Sequence, residues 1–380
     1  MTRPEIQSKS DPPAGETGKD GLVRLLRQLL ESRSSDLHIT VAAVPRIRRK
    51  GQLAPLSHPP LTWQETRDLL LAFLPESRRQ QLEAEREIRF AFDVDGLARF
   101  RGNLFYQQQA LAGVFRVIPR EIPSLEDLAV PPIVRTMGQA RSGLILVSGG
   151  RSAGKSTTLA AIIDWINTRF GYHIMTIEDP VEYIHRHKES IVSQRDVAGD
   201  TLSVAQALDS AMTEDVDVIM IGEIRDAAIT ERALEAALSG RLVLGAVSSV
   251  SALDTIHKLI DWFPPDRQNR IRAGLAACLQ GIVHQSLIRR ADEEGMAIAT
   301  EALIRTPAVQ NLIREDKVHQ IYSLMQSQPG TGMITMNQSL AALVANGIVA
   351  PETALDRSLS KHELADMLGR MNPATPPSRS

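Results

Sequence analysis

Eight residues near the middle of the chain, Gly149-Gly150-Arg151-Ser152-Ala153-Gly154-Lys155-Ser156, carry the spacing G-x-x-x-x-G-K-[ST]. A loop of this kind turns backbone N–H groups toward phosphate oxygens. The helix that follows adds roughly half a positive charge at its N-terminus. In that chemistry Lys155 reaches the β- and γ-phosphates of ATP and Ser156 holds Mg2+. The expected nucleotide contacts are therefore the eight loop residues and Thr157, the next residue of the helix. Such a loop needs carboxylates nearby before it can hydrolyse anything. Glu178 follows the apolar run Ile174–Ile177, and Glu223 follows Val218-Ile219-Met220-Ile221-Gly222. Both are acids at the C-terminal ends of apolar strands, the ligand side of an open α/β sheet. One could polarise an attacking water and the other could orient Mg2+.

The elements that must position these residues are legible in the pattern. Leu144–Val147 reads as a buried strand entering the loop. Leu159, Ile162, Ile163 and Ile166 recur at helical spacing behind it. His173–Ile177, Val218–Ile221 and Leu242–Val247 read as further strands, and Ala227–Ser239 as a helix stopped by Gly240. Strands alternating with helices predict a parallel α/β sheet, here over residues 141–290. A mostly helical stretch is expected beyond about 252, with residues 291–370 as a helical C-terminal part. Residues 21–120 read as a smaller α+β domain. It has leucines at helical spacing from Leu22 to Leu30, a strand-like run from Ser35 to Gly51, and a mostly helical Leu61–Glu85. Two strands then flank the Asp95-Gly96 turn, and residues 111–118 form a last one. Residues 121–140, with Pro123, Pro131 and Pro132, read as the linker. The tails 1–20 and 371–380 hold few apolar residues and are expected to be disordered.

Composition narrows the function classes. The 380 residues suggest two or three domains. Lys and Arg number 43 against 45 Asp and Glu, a net charge of −2, which argues against binding nucleic acid or anionic lipid by bulk charge. The single cysteine, Cys278, can form no internal disulfide and reads as a buried apolar residue. No apolar run reaches the ~18 residues of a membrane span, and Met1–Gly21 has no signal-peptide core. A cytoplasmic protein with only peripheral membrane contact is expected. His185 and His187 are expected to lie in a solvated loop rather than to hold a metal.

Several segments resemble the PilT/PilU branch of the secretion-type hexameric ATPases, which retract type IV pili. They are Ser35-Asp36-Leu37-His38, Ala98-Arg99-Phe100-Arg101, Val114-Phe115-Arg116-Val117-Ile118-Pro119, the phosphate loop, Thr176-Ile177-Glu178-Asp179-Pro180-Val181-Glu182-Tyr183, Ile221-Gly222-Glu223-Ile224-Arg225-Asp226, and Asn311-Leu312-Ile313-Arg314-Glu315. The last favours retraction over extension motors. The resemblance covers about residues 22–370. It implies a PAS-like N-terminal domain and a RecA-like P-loop ATPase domain. It implies a homohexamer, or a ring mixed with a related retraction ATPase, at the inner-membrane platform protein of the pilus. It makes Glu178 the catalytic base and places Glu223 near Mg2+. It assigns Arg101 and Arg116 to the nucleotide phosphates, where guanidinium charge stabilises phosphoryl transfer.

Four positions depart from the family pattern. Where the family has two histidines flanking a strand, this chain has Arg241 and Ser248. Arg241 keeps a donor but cannot serve as a base, and Ser248 is short. Before the second acidic strand, two family arginines are replaced by Asp209 and Thr213, a reversal of charge that matters if phosphate is near. The bulky Arg151 at the loop tip is available to phosphate or to a neighbouring subunit. The reading is a divergent ATP-hydrolysing retraction motor or accessory motor. The competing reading is a ring subunit that binds ATP but turns it over weakly or not at all. A DNA translocase would need a basic, aromatic channel, which 4% aromatic residues do not favour.

Overall fold

The computed structural model describes residues 18–49, 52–197 and 199–371. The chain divides into two compact units that part between Arg120 and Glu121.

The first unit is a six-stranded antiparallel sheet with helices. Its strands are β1 (Asp36–Ile39), β2 (Arg46–Arg49), β3 (Gln52–Pro55), β4 (Glu87–Val94), β5 (Ala98–Gln107) and β6 (Ala110–Ile118), in the order β3-β2-β1-β6-β5-β4. The helix Gly18–Glu31 buries Leu22, Leu25, Leu26 and Leu29 with Phe90, Phe100 and Phe115 of the sheet. Along β5, Phe100, Gly102 and Leu104 turn inward while Arg99, Arg101 and Asn103 do not, the period of two of a half-buried strand. The Ser35–Gly51 run is two strands rather than one. Ala42 takes a left-handed φ of 58° between β1 and β2, a turn that no glycine announces. Gly51 itself lies outside the described residues, as do most of both tails. Of the tails, residues 18–20 open the first helix and Met371 closes the last.

The second unit holds β7 (Gly143–Ser148), β8 (His173–Glu178), β9 (Ile191–Asp196), β10 (Val218–Ile221), β11 (Leu242–Val247), β12 (Leu279–Arg289) and β13 (Met296–Ile304). Their order is β13-β12-β7-β11-β10-β8-β9, parallel throughout except for the β12–β13 pair. Every residue of β7, β10 and β11 is buried, as in a sheet covered on both faces. The helix Lys155–Asn167 is apolar almost all round: Ala160, Ala161 and Trp165 are buried along with the four residues expected to form one face. Residues 121–140 place Leu125, Val130, Val134 and Met137 in the core with Ile145, Val147 and Ile162.

The expectation of a mostly helical stretch beyond 252 fails at β12 and β13, which extend the central sheet. The helix Pro265–Cys278 passes into Leu279 with no turn residue between them. In addition, β12 carries buried His284 and Gln285, which break the apolar signal of an interior strand.

Candidate nucleotide site

The loop leaves β7 at Gly149, where φ is 154°. A Cβ there would lie 2.5 Å from the backbone oxygen of Gln285, so only glycine fits. Gly154, with φ of 88°, opens the helix, and Lys155 folds back over the loop. Its Nζ donates to the Gly149 oxygen at 2.9 Å and the Gly150 oxygen at 2.8 Å, and lies 3.4 Å from Ser248 Oγ. Burial draws the Lys155 pKa down, opposed by the charge of Glu223. The ammonium is thus already aimed into the loop, where phosphate oxygens bind it more strongly than neutral carbonyls do. Arg151, Ser152 and Ser156 are exposed, and Ala153 is buried. The Thr157 hydroxyl is 2.9 Å from Tyr183 OH, which ties the loop helix to the segment after Glu178.

Glu178 ends β8, and Glu223 lies two residues beyond β10 on the neighbouring strand. Gly222 N–H donates to the Ile177 oxygen at 2.8 Å. A Cβ on Gly222 would sit 3.3 Å from Glu178 Cα, so the glycine lets the two strand ends close together. Because β7, β11, β10 and β8 are parallel, the loop and both acids share the C-terminal edge of the sheet.

The two carboxyls have different surroundings. Glu178 is buried and accepts from Thr176 Oγ1 at 2.8 Å and Gln194 Nε2 at 3.4 Å. Burial pushes its pKa up to about 7, against the hydrogen bond from Thr176. Glu223 is exposed and accepts from Ser248 Oγ at 2.9 Å. Carboxyls in such unlike environments suit unlike roles: the buried Glu178 exchanges a proton near neutral pH, while the exposed Glu223 is open to a cation or the nucleotide. Thr176 lies on β8 two residues before the acid, a small hydroxyl in an otherwise apolar run. Gln194 lies on β9, a strand with no clear sequence signal.

The departures from the family pattern resolve unequally. Ser248, short as it is, bridges Glu223 and Lys155 through its hydroxyl. Its backbone oxygen accepts from Lys258 Nζ at 2.5 Å, a cation the sequence did not single out. Arg241 sits at the opposite end of β11, about 20 Å from Ser248 along the strand. Its guanidinium donates to Met212 O and Ser239 Oγ, both at 2.9 Å, so it bridges backbone and side chain below the sheet. Asp209 does not turn its charge toward the loop. It takes two hydrogen bonds from Arg232, at 2.7 and 3.1 Å. Thr213 bonds its own turn at Ser210 O. Asp209→Arg is therefore expected to lower the melting temperature by about 2–4 °C, through loss of a partly exposed pair and repulsion of Arg232, without increasing any ATP turnover. A thermal melt beside a phosphate-release assay checks this.

In the first unit, Arg101 on β5 stands directly opposite Arg116 on β6, and Arg116 opposite Asp36 on β1. Asp36 is 3% exposed. It accepts from Arg116 Nε at 2.7 Å and from Ser35 Oγ at 2.7 Å. Burial alone would raise its pKa, but the Arg116 and Ser35 bonds together hold it below the usual value. A carboxyl whose folded pKa is depressed stabilises the protein above its unfolded pKa and loses that effect as pH falls through the folded value. Asp36→Asn is expected to cost about 2 kcal/mol at pH 7, with the gap to wild type closing in acid, as read by urea unfolding at both pH values.

The two histidines do not pair. His185 is buried, with its pKa drawn down to about 4 by burial, which corrects the expected solvated loop. His187 Nδ1 accepts from Val192 N–H at 3.1 Å. Among the described residues there is no cluster of three metal-binding His, Cys, Asp or Glu residues. A P-loop cation needs none, because it draws mainly on a hydroxyl, waters and the nucleotide. Ser156 and Glu223 are the hard oxygen donors that Mg2+ prefers. Cys278 is buried, and burial pushes its pKa up to about 12. No helix among the described residues is long and apolar enough to cross a membrane.

A glycine-rich loop at the C-terminal edge of a parallel sheet, flanked by an exposed and a buried carboxyl, defines a P-loop nucleotide-binding domain. Residues 126–347 match the family described as Type II/IV secretion system protein. The chain is 39% identical over 337 residues to the type IV pilus retraction ATPase PilT of Pseudomonas aeruginosa, covering 89% of this chain and 98% of that one. It is 36% identical over 345 residues to the type IV pilus ATPase PilU of the same organism, covering 91% and 90%. A solved structure of the pilus retraction motor PilT with bound ADP superposes with a TM-score of 0.81 at 43% identity, covering 90% of this chain and 98% of that one. The chain belongs to the Type II/IV secretion system ATPase family.

Proposed function

We propose that this protein hydrolyses ATP as a main or accessory motor of type IV pilus retraction. The observation that carries the reading is the shared sheet edge on which Lys155, Glu178 and Glu223 lie, in a chain whose relatives are named for that activity. Gly149 to Thr157 cradle the phosphates and Lys155 supplies charge at the β/γ end. Glu178, poised near neutrality, takes the proton of the attacking water. Ser248 holds Glu223 in place through its hydroxyl. Ser156 and Glu223 are the residues that would hold Mg2+, which when bound offsets developing phosphate charge. Arg101 and Arg116, which the resemblance assigns to the nucleotide phosphates, stand opposite one another on β5 and β6, with Arg116 held by Asp36.

The protein works as a homohexamer, or in a ring mixed with a related retraction ATPase. It sits in the cytoplasm, peripheral to the inner membrane at the pilus platform protein, and binds no nucleic acid. The decisive measurement is Mg-ATP turnover by the purified chain, alone and mixed with a related retraction ATPase. Turnover by the chain alone supports a motor. ATP binding without turnover, together with stimulation of the relative, makes it an accessory subunit. Absence of nucleotide binding refutes the ATPase reading.

A further inference from the structure

We infer that Gln285 of β12 presets the phosphate loop for its ligand, as a positioning residue acting through the Ala153–Gly154 peptide. The inference rests on the reading of the loop as a nucleotide-phosphate site.

Gln285 is 1% exposed, and its side-chain amide hydrogen-bonds to both the loop and its helix. Nε2 donates to the Ala153 oxygen at 2.7 Å, and Oε1 accepts from Thr158 Oγ1 at 2.9 Å. The orientation of the amide is fixed by chemistry: a carbonyl cannot donate, so the nitrogen must face Ala153. No other uncharged side chain of that length offers a donor and an acceptor in one plane. The backbone of the same residue also meets the loop. A Cβ on Gly149 would lie 2.5 Å from the Gln285 oxygen, and one on Gly154 would lie 3.1 Å from its Nε2. Gly149, Ala153, Gly154 and Thr158 are therefore all seated against one residue.

The consequence follows from peptide geometry. Carbonyl and N–H of a trans peptide point in opposite directions. Pinning the Ala153 oxygen toward β12 turns the Gly154 N–H to the other side of the loop. A loop that binds phosphate through N–H groups loses affinity when its peptides are free to rotate, because binding must then also order them. Glycines at both ends make this loop prone to that freedom. The clamp removes it before the ligand arrives. No spacing in the sequence links Gln285 to a loop 130 residues earlier; only the β7–β12 pairing brings them together.

The test compares wild type with Gln285→Met, which keeps the length and removes both bonds, and Gln285→Asn, which keeps the amide one methylene too short. Mg-ADP affinity is read by calorimetry, ATP turnover by phosphate release, and the ligand-free melting temperature by circular dichroism. Both variants are expected to bind Mg-ADP at least tenfold more weakly and to raise KM for ATP by a similar factor. The value of kcat should stay within about threefold of wild type, the signature of lost binding rather than lost chemistry. Wild-type binding with both variants within twofold of it would overturn the inference alone. So would loss of the ligand-free fold in both, which would make Gln285 a core residue only. A wild type that binds no Mg-ADP would overturn the nucleotide reading and this inference with it.

Discussion

Lys155→Ala is expected to remove measurable Mg-ATP binding and turnover while leaving the ligand-free protein folded. The ammonium makes two short hydrogen bonds, both to loop carbonyls, and the Gly150 end of that loop is open to water. Water can take over those acceptors, so truncation costs the fold little. Burial already disfavours the charged form of this lysine, so removing it also relieves a desolvation penalty. The ligand loses far more. Each hydrogen bond to a charged group contributes about 1.5–3 kcal/mol, and two or more to the β- and γ-phosphates put the affinity loss at about a hundredfold or greater. Calorimetric titration with Mg-ATP and a phosphate-release assay, run beside a melt without nucleotide, separate the two effects. Turnover that survives the substitution would remove the phosphate loop from the mechanism. A collapse of the ligand-free melt would make Lys155 a structural strut instead.

The site was legible in the sequence where chemistry is concentrated in consecutive residues. The phosphate loop, the acid ending β8 and the acid after β10 each stand next to an apolar run that marks the strand carrying them. What the sequence could not show was which side chains meet across the sheet. Gln194 reaches Glu178 from β9, Lys258 reaches Ser248 from the helix Ala252–Asp261, and Gln285 reaches Ala153 from β12. All three are single polar residues with no spacing signal. Arg241 shows the reverse error: a position weighed for its place in a motif proves to lie at the wrong end of its strand for phosphate chemistry in its own subunit.

The fold was read best where periodicity was strong and the turn carried its usual residues, as at Asp95-Gly96, where Gly96 takes a φ of 70° between β4 and β5. It was read worst where an element changed type without a breaker. Cys278 closes a helix and Leu279 opens a strand with no Gly, Pro or Asn between them, so the last two strands of the central sheet went unread. The arginine pair of the first unit shows the limit of spacing arguments. Fifteen residues apart on successive strands is compatible with many registers. Only the observed register sets Arg101 opposite Arg116 and supplies Asp36 to orient the second of them.

Glu178→Gln is expected to lower kcat by roughly 10²–10⁴ while leaving Mg-ATP affinity near wild type, and to make the protein more stable at pH 8. The kinetic part follows from the loss of a proton acceptor at the edge of the loop. The amide keeps the bond from Thr176 and the shape of the site, so binding is spared. The stability part follows from linkage. In the folded protein the carboxyl titrates near 7, above the ordinary carboxylate value, so the native state holds a proton that the unfolded chain has already lost. Stability therefore falls as pH rises from about 4.5 to 7 and stays lower above that. Glutamine cannot ionise, so the variant escapes the penalty, by about 3 kcal/mol at most at pH 8, and the advantage vanishes toward pH 4.5. Wild-type kcat/KM should rise through pH 7 with the same group, and the residual activity of the variant should lack that limb. Urea unfolding at pH 5 and 8, with a pH–rate profile, tests both halves. A variant that loses activity but gains no stability at pH 8 would mean that Glu178 is ionised without cost, solvated at the loop rather than buried beneath it. A variant that keeps its activity would assign the proton to another group, with Glu223 the next to test because it lies just beyond the adjacent strand β10 and is open to the loop.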